Sequence, residues 1–116
     1  MSAGGGLALA ALLALRAAAE PLPAAAVCLS PWTDLTNSAK SMQSKARVDH
    51  ILNLGALTKY ALAYTTQQNL RNPWVSPLFG ELSGLPPILI QAGTQEVLLD
   101  DAKKKKKKAR QAGVNV

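Results

Sequence analysis

The sequence has one cysteine, one histidine and few aromatic residues. A single thiol, Cys28, excludes an internal disulfide. Cys28 lies in an apolar run, so we expect a buried and unreactive side chain. Cys28 and His50 are also too few and too far apart in the sequence to suggest a metal-ligand cluster, and no metal or other cofactor is predicted.

Outside one segment, the chain has no excess of basic over acidic residues. The net charge is +6, but six of the thirteen basic residues form the unbroken run Lys103–Lys108. Without that run, seven basic residues face seven acidic ones. The composition therefore gives no global nucleic-acid or membrane signal, and any affinity for a polyanion is expected to be local to the run. A chain of 116 residues has room for one small domain.

The apolar run Leu7–Leu15 permits two interpretations. Its length suits the hydrophobic part of a signal peptide, and small residues suitable for cleavage follow it. However, no basic residue precedes it, Arg16 closes it, and it is too short to span a bilayer. The favoured interpretation is a buried helix that is apolar all round because it packs against a sheet, with Ser2 as a possible N-cap. The first interpretation places the protein outside the cell and the second in the cytoplasm.

The first half of the chain predicts helix, break, strand and loop. Pro21 and Pro23 end the first helix. Residues 24–29 are apolar throughout, which is typical of a buried strand in a parallel sheet, and turn-forming residues follow from Ser30 to Leu35. Residues 37–47 are polar without a clear period. A helix is predicted from Leu54 to about Gln67, with Asn53 as its cap.

The second half predicts a loop, a strand, a helix and the start of a further strand. A loop with short turns is expected over residues 69–84, a second buried strand over 87–93, and a helix over 97–110 that Gly113 ends. Residues 114–116 are expected to open a third strand. The fold class is therefore α/β, with parallel strands and crossover helices. Ligands of such sheets bind at the carboxyl ends of the strands, where the loops after Leu29 and Ala92 fall.

The first six residues carry the chemistry of a nucleophile elbow. Ser2 stands on the glycine-rich turn Met1–Gly6, and an apolar helix follows at once. Such a turn exposes a serine oxygen at the mouth of a fold.

Five segments in this order resemble the hormone-sensitive-lipase-like branch of the α/β-hydrolases, a group of bacterial-type esterases and lipases. They are Ser2–Gly6, Leu29–Leu35, Ser76–Phe79, Leu82–Pro87 and Glu96–Ala102. The resemblance covers nearly the whole chain. It implies a partial α/β-hydrolase domain over residues 1–116, with core pieces at about 1–34 and 86–116 and a cap-like or lid-like insertion at about 35–85.

The resemblance also implies a function, the hydrolysis of small carboxylic esters by a Ser-acid-His triad. Ser2 matches the nucleophile, and the backbone N–H of Ala3 matches one donor of the oxyanion hole. Glu96 matches the triad acid. Asp100 is the second choice for the acid, although a structural role as a cap or in a salt bridge is preferred for it. Neither a specific nucleic-acid partner nor a membrane span is implied, and the oligomeric state is left open.

The chain departs from the family at several points. Met1 stands where the family has an aspartate, and the strand and His-Gly-Gly-Gly loop before the elbow are missing. The catalytic histidine is expected beyond the strand that residues 114–116 begin. His50 lies in the cap-like segment and is expected to be an exposed surface residue, not a substitute. The chain is therefore expected to be a fragment, inactive alone.

The lysine run is the last departure. The family's helix after the acid has apolar residues near positions 105 and 106 that dock onto the sheet, and here both are lysine. Burying an unpaired lysine is costly, so we expect a detached, solvated helix or a damaged reading frame. The alternative function is that of a small secreted or peripheral protein, with an N-terminal signal peptide and a lysine-rich patch that binds anionic lipid or nucleic acid.

Overall fold

Two parallel strands form the centre of the computed structural model, which describes residues 2–116. The helices and strands follow the predicted order, and two 3-10 helices lie between α3 and β2. Their bounds are α1 Ala3–Ala17, β1 Ala26–Leu29, α2 Ser41–Ser44, α3 Leu54–Tyr64, β2 Ile88–Gln91 and α4 Leu99–Gln111, with the 3-10 helices at Gln67–Asn69 and Pro77–Phe79. The predicted α/β class with parallel strands and crossover helices is confirmed, although both strands are shorter than expected.

The sheet joins β1 to β2 with Val27 opposite Leu89 and Cys28 opposite Ile90. Helix α1 packs on β1, and α4 packs on β2. Both helices share one core with the same face of the sheet. The buried members of this core are Leu9, Leu12, Leu13, Cys28, Leu82, Leu85, Ile88, Ala109 and Val114. As predicted, Cys28 is fully buried, and burial raises the pKa of its thiol.

The other face of the sheet contradicts the expectation of strands buried on both sides. Val27 is 62% exposed and Leu89 is 61% exposed. A continuous apolar run indicates a strand covered on both faces, but in residues 2–116 the packed helices lie on one face only. Alternate residues of each strand therefore point away from the core.

Helix α1 forms where the buried-helix interpretation placed it. Leu9, Leu12 and Leu13 are buried in the core, because residues three and four apart lie on one helical face. The helix is not buried all round, however, since Leu7 on another face is 61% exposed. The helices of residues 2–116 include none of the length and apolarity needed to cross a membrane.

A second buried cluster lies beneath α3 and beside the loop after β1. It comprises Trp32, Leu35, Ala39, Met42, Leu57, Ala61, Leu70, Val97 and Leu98. The predicted cap of α3 is confirmed, because the Asn53 side chain accepts a hydrogen bond from the Ala56 N–H at 2.9 Å. The helix ends at Tyr64, earlier than expected. The polar stretch without a clear period contains the single turn of α2.

The end of the chain turns back to the sheet. Gly113 has a φ of 83° and ends α4 as predicted. Residues 114–116 form no strand in the described structure, so the expected third strand is absent there. One backbone hydrogen bond joins this segment to β2, since the Ile88 N–H donates to the Asn115 carbonyl at 2.9 Å.

Helix α4 is docked, which contradicts the expectation of a detached and solvated helix. Lys105 is fully buried, and its Nζ donates a hydrogen bond to the Pro77 carbonyl at 2.6 Å. Lys108 donates to the neighbouring Leu78 carbonyl at 2.8 Å. Burial, with a smaller contribution from Lys108, lowers the pKa of Lys105 to about 7. A lysine can be accommodated here because its amine loses charge readily and has a carbonyl acceptor. Lys106 is exposed.

The exposed sheet face leads to a prediction about the isolated chain. A two-stranded sheet with an uncovered apolar face gives little independent stability and invites association. We expect poor solubility, and calorimetry without a sharp cooperative thermal transition. Replacing Val27 and Leu89 with threonine should raise solubility, because threonine keeps β propensity while removing apolar surface. A single sharp transition of the monomeric, unaltered chain would contradict this prediction.

Candidate active site

Ser2 has the backbone of a strained turn at the entrance to α1. Its φ is 48° and its ψ is −115°, a combination that side-chain-bearing residues rarely adopt. The Ser2 N–H donates to the Leu29 carbonyl at 2.9 Å, and the Ser2 carbonyl accepts from the Trp32 N–H at 3.0 Å. Within the described chain the hydroxyl makes no capping hydrogen bond. The backbone of the turn is therefore held by hydrogen bonds to Leu29 and Trp32, while the Ser2 hydroxyl is not used to cap the helix.

Glycine is required where α1 meets that loop. A Cβ atom added at Gly6 would lie 2.1 Å from the Trp32 carbonyl oxygen, which is a severe overlap. Ala3 is the first residue of α1, and N–H groups in the first turn have no acceptor within their own helix. The Ala3 N–H thus stands beside Ser2 at the positive end of a helix dipole. Met1, which replaces the expected aspartate, lies outside the described residues.

Glu96 reaches the same region from the loop after β2. The hydroxyl of Ser30, in the loop after β1, donates to Glu96 Oε2 at 3.0 Å. The second carboxylate oxygen, Oε1, is buried and has no hydrogen-bond partner in residues 2–116. The expectation that the loops after the two strands meet at one edge of the sheet is therefore confirmed.

Ser2, Ser30 and Glu96 line one cleft of about 500 Å³. The remaining lining residues are Val48, Asp49, His50, Ile51, Leu52, Gly93, Thr94, Gln95 and Leu98. The candidate nucleophile and candidate acid thus share a cavity with a largely apolar wall. Such a wall weakens competition from water for charged groups inside the cleft.

His50 is exposed, as predicted, yet it lies on the rim of this cleft. Neither oxygen of Glu96 has a hydrogen bond to its imidazole, since Oε2 accepts from Ser30 and Oε1 has no partner in the described part of the chain. The single histidine of the sequence is therefore near the site without being connected to the acid.

Sequence reasoning missed Asp49, which fastens the segment around His50 to the loop of Glu96. Its carboxylate accepts hydrogen bonds from the N–H groups of Ile51 and Leu52 and, through the other oxygen, of Val97, each at 2.9 Å. Burial acts to raise the pKa of Asp49, but these three N–H donors together lower it. The carboxylate therefore holds two walls of the cleft together as an anion.

Asp100, the second choice for the acid, is engaged elsewhere. Its Oδ2 accepts from the Ser41 N–H at 2.9 Å, and it is not among the residues lining the cleft. This contact matches the structural role preferred for it. The chain's neighbouring carboxylate, Asp101, was not singled out by the sequence.

Asp101 positions the loop after β1. It is fully buried, and its Oδ2 accepts from the N–H groups of Thr33 at 2.9 Å and Asp34 at 3.1 Å. Burial raises the pKa of Asp101 to about 6, although these two donors oppose the change. The Leu-Asp-Asp sequence before the lysine run was the available signal, but two adjacent acidic residues do not reveal which one turns inward.

Comparison with known proteins places the whole chain in one family. The model of a family described as alpha/beta hydrolase fold matches residues 1–116. An acetyl-hydrolase of Streptomyces hygroscopicus is 48% identical over 115 residues, which cover 99% of this chain and 38% of that protein. An esterase of Acinetobacter venetianus is 41% identical over 116 residues, with the same coverage.

Solved structures agree. An esterase from the bacterial hormone-sensitive lipase family superposes with a TM-score of 0.95 at 47% sequence identity, covering 98% of this chain and 38% of that one. The chain thus spans less than two fifths of the length of these relatives. The family model and these matches show that the chain belongs to the α/β-hydrolase family, in its hormone-sensitive-lipase-like branch.

Proposed function

We propose that residues 1–116 carry the nucleophile and the acid of a serine hydrolase acting on small carboxylic esters. The observation that supports this most is the placing of Ser2, on a strained turn at a helix N-terminus, in one cleft with Glu96. The names of the relatives, acetyl-hydrolase and esterase, agree with ester substrates.

In the proposed reaction, Ser2 Oγ attacks the ester carbonyl and its proton passes to a histidine supplied by sequence outside these residues. The backbone N–H of Ala3 stabilises the negative charge that develops on the carbonyl oxygen. Glu96 Oε1 accepts a hydrogen bond from the histidine, fixing its tautomer and stabilising its charged form. The exposed His50 takes no part.

The substrate is expected to be small and partly apolar. Val48, Ile51 and Leu52 give the cleft much of its apolar wall, and they belong to the segment that we propose as the cap, residues 35–85. A cap of this kind shields the acyl group from water while leaving the ester carbonyl near the elbow.

The test uses a hybrid enzyme, in which residues 1–116 replace the matching segment of the Streptomyces acetyl-hydrolase. We expect the hybrid to hydrolyse p-nitrophenyl acetate. The isolated chain should be at least about 10³-fold slower, because a serine without its general base is a weak nucleophile. Initial rates of both proteins, with the unaltered relative as positive control, provide the measurement.

Two results would contradict this proposal. One is fast hydrolysis by the isolated chain that disappears in a Ser2→Ala variant, because the chain would then supply its own base. The other is a folded hybrid without activity, because this segment would then not carry a functional nucleophile and acid. Circular dichroism of the hybrid and its parent establishes folding.

A further inference from the structure

We propose that Ser30 is a positioning residue for Glu96. Its hydroxyl holds one carboxylate oxygen, so that the other is left to face the catalytic histidine. This inference rests on the proposed function, since it assigns a role in orienting the triad acid.

The contact is specific. Ser30 Oγ lies 3.0 Å from Glu96 Oε2 although the two residues are 66 positions apart in the sequence. Ser30 is itself anchored, because its N–H donates to the Gln91 carbonyl at 2.7 Å, at the last residue of β2. The donor is therefore fixed to the sheet that also carries the acid's loop.

The backbone of Ser30 gives a second, independent observation. Its φ is 46°, in the left-handed region that glycine adopts without strain. A side chain at such a position costs stability, and strained residues of this kind cluster at functional sites. The hydroxyl on Glu96 supplies a reason for serine at a position whose conformation favours glycine.

Glycine at position 93 leaves space for the carboxylate of Glu96. A Cβ atom added at Gly93 would lie 3.0 Å from Glu96 Oε2, so the absence of a side chain at Gly93 leaves space for that oxygen. Oε2 accepts the hydrogen bond from the Ser30 hydroxyl, whereas Oε1 is buried without a partner in the part of the chain that the structure describes. The carboxylate therefore has one oxygen occupied and one available for a new donor.

The test compares Ser30→Ala with Ser30→Gly in the hybrid. Both variants lose the hydroxyl, but glycine relieves the strained backbone, so the two should differ in thermal stability. Both should lower kcat about 10- to 30-fold with KM changed less than about two-fold, because outer hydrogen bonds orient the groups that react. The acidic limb of the profile of kcat/KM against pH should move to lower pH, since a misaligned acid stabilises the charged histidine less.

Ser38→Ala is the matched control. Ser38 also donates to a carboxylate oxygen, Asp34 Oδ2 at 2.6 Å, but it is not among the residues lining the cleft. It should leave kcat and the pH profile unchanged. If Ser30→Ala does not fold, the kcat and pH profile of Ser30→Gly alone test the positioning role.

A Ser30→Gly enzyme with unaltered kcat and pH profile would overturn the proposal, because the residue would then serve the backbone alone. The proposed function fails separately, if the Ser2→Ala and Glu96→Gln hybrids remain active. Inactive Ser2 and Glu96 variants beside normal Ser30 variants would reject only the positioning role.

Discussion

In the hybrid, Ser2→Ala should lower kcat for p-nitrophenyl acetate by at least about 10⁴-fold, since removing the proposed nucleophile leaves only binding and oxyanion stabilisation. The change in KM should be small, because the serine oxygen contributes little to ground-state binding. Stability should change little or increase, because alanine removes no hydrogen bond made by the Ser2 side chain in the described structure. Steady-state kinetics and thermal denaturation of the variant provide the measurements.

The acid is tested in the same experiment. Glu96→Gln should lower kcat by about 10² to 10⁴-fold, because the amide cannot stabilise a charged histidine as a carboxylate does. Asp100→Asn is the matched control, since its carboxylate accepts from the Ser41 N–H and an amide oxygen can do the same. Loss of activity in Asp100→Asn with retention in Glu96→Gln would reverse the assignment of the acid.

The second large effect concerns stability and comes from Lys105. We expect Lys105→Met in the hybrid to raise the free energy of unfolding by about 2–4 kcal/mol at pH 7. A pKa lowered from 10.5 to about 7 corresponds to a penalty of roughly 5 kcal/mol, at about 1.4 kcal/mol per pKa unit. Loss of the hydrogen bond to the Pro77 carbonyl offsets part of the gain, by about 1–2 kcal/mol.

The pH dependence identifies the cause. Because the folded pKa is the lower one, the unfolded chain binds the extra proton between pH 10.5 and about 7, and the native state loses stability as pH falls through this window. The advantage of Lys105→Met should therefore be greatest near and below pH 7 and decline as pH rises toward 10.5. Asp101, whose pKa is about 6, is present in both proteins and cancels in the comparison.

Lys107→Met is the control for this experiment, because Lys107 is exposed on the same helix. Its free energy of unfolding should stay within about 0.5 kcal/mol of the unaltered hybrid at every pH. Urea denaturation at pH 6.5, 8 and 9.5 measures all three proteins. Equal stability of the Lys105→Met and unaltered hybrids at pH 6.5 would show that the lysine is not buried in solution.

The sequence was sufficient to predict the elements that depend on local chemistry. The Asn53 cap, the Gly113 stop and the parallel strands ending near Leu29 and Ala92 all formed as expected. Short motifs in a fixed order also identified the family and the cleft-forming loops. These features are readable because each depends on a few neighbouring residues or on a repeated period.

Features that depend on distant packing were not predictable. The runs around Val27 and Leu89 look the same in a strand covered on two faces and in one covered on a single face. The burial of Lys105 depends on the Pro77 carbonyl, 28 positions away, and an unbroken lysine run suggests solvent exposure throughout. The hydrogen bond from Ser30 to Glu96 required two loops whose relative position only the folded sheet defines.

The backbone hydrogen bonds that tie Ser2 to Leu29 and Trp32 have a consequence for protein engineering. These bonds fix the turn at Ser2 against the end of β1, and both of their partners lie within residues 2–116. Glu96 lies in the same part of the chain. Under the proposed function, a split esterase divided just after residue 116 would keep the proposed nucleophile and acid on one piece. The histidine, which is expected beyond residue 116, would then lie on the other piece. If each piece were fused to one of two interacting proteins, association of those proteins would reassemble the esterase. The coloured p-nitrophenol released from p-nitrophenyl acetate would then report the association.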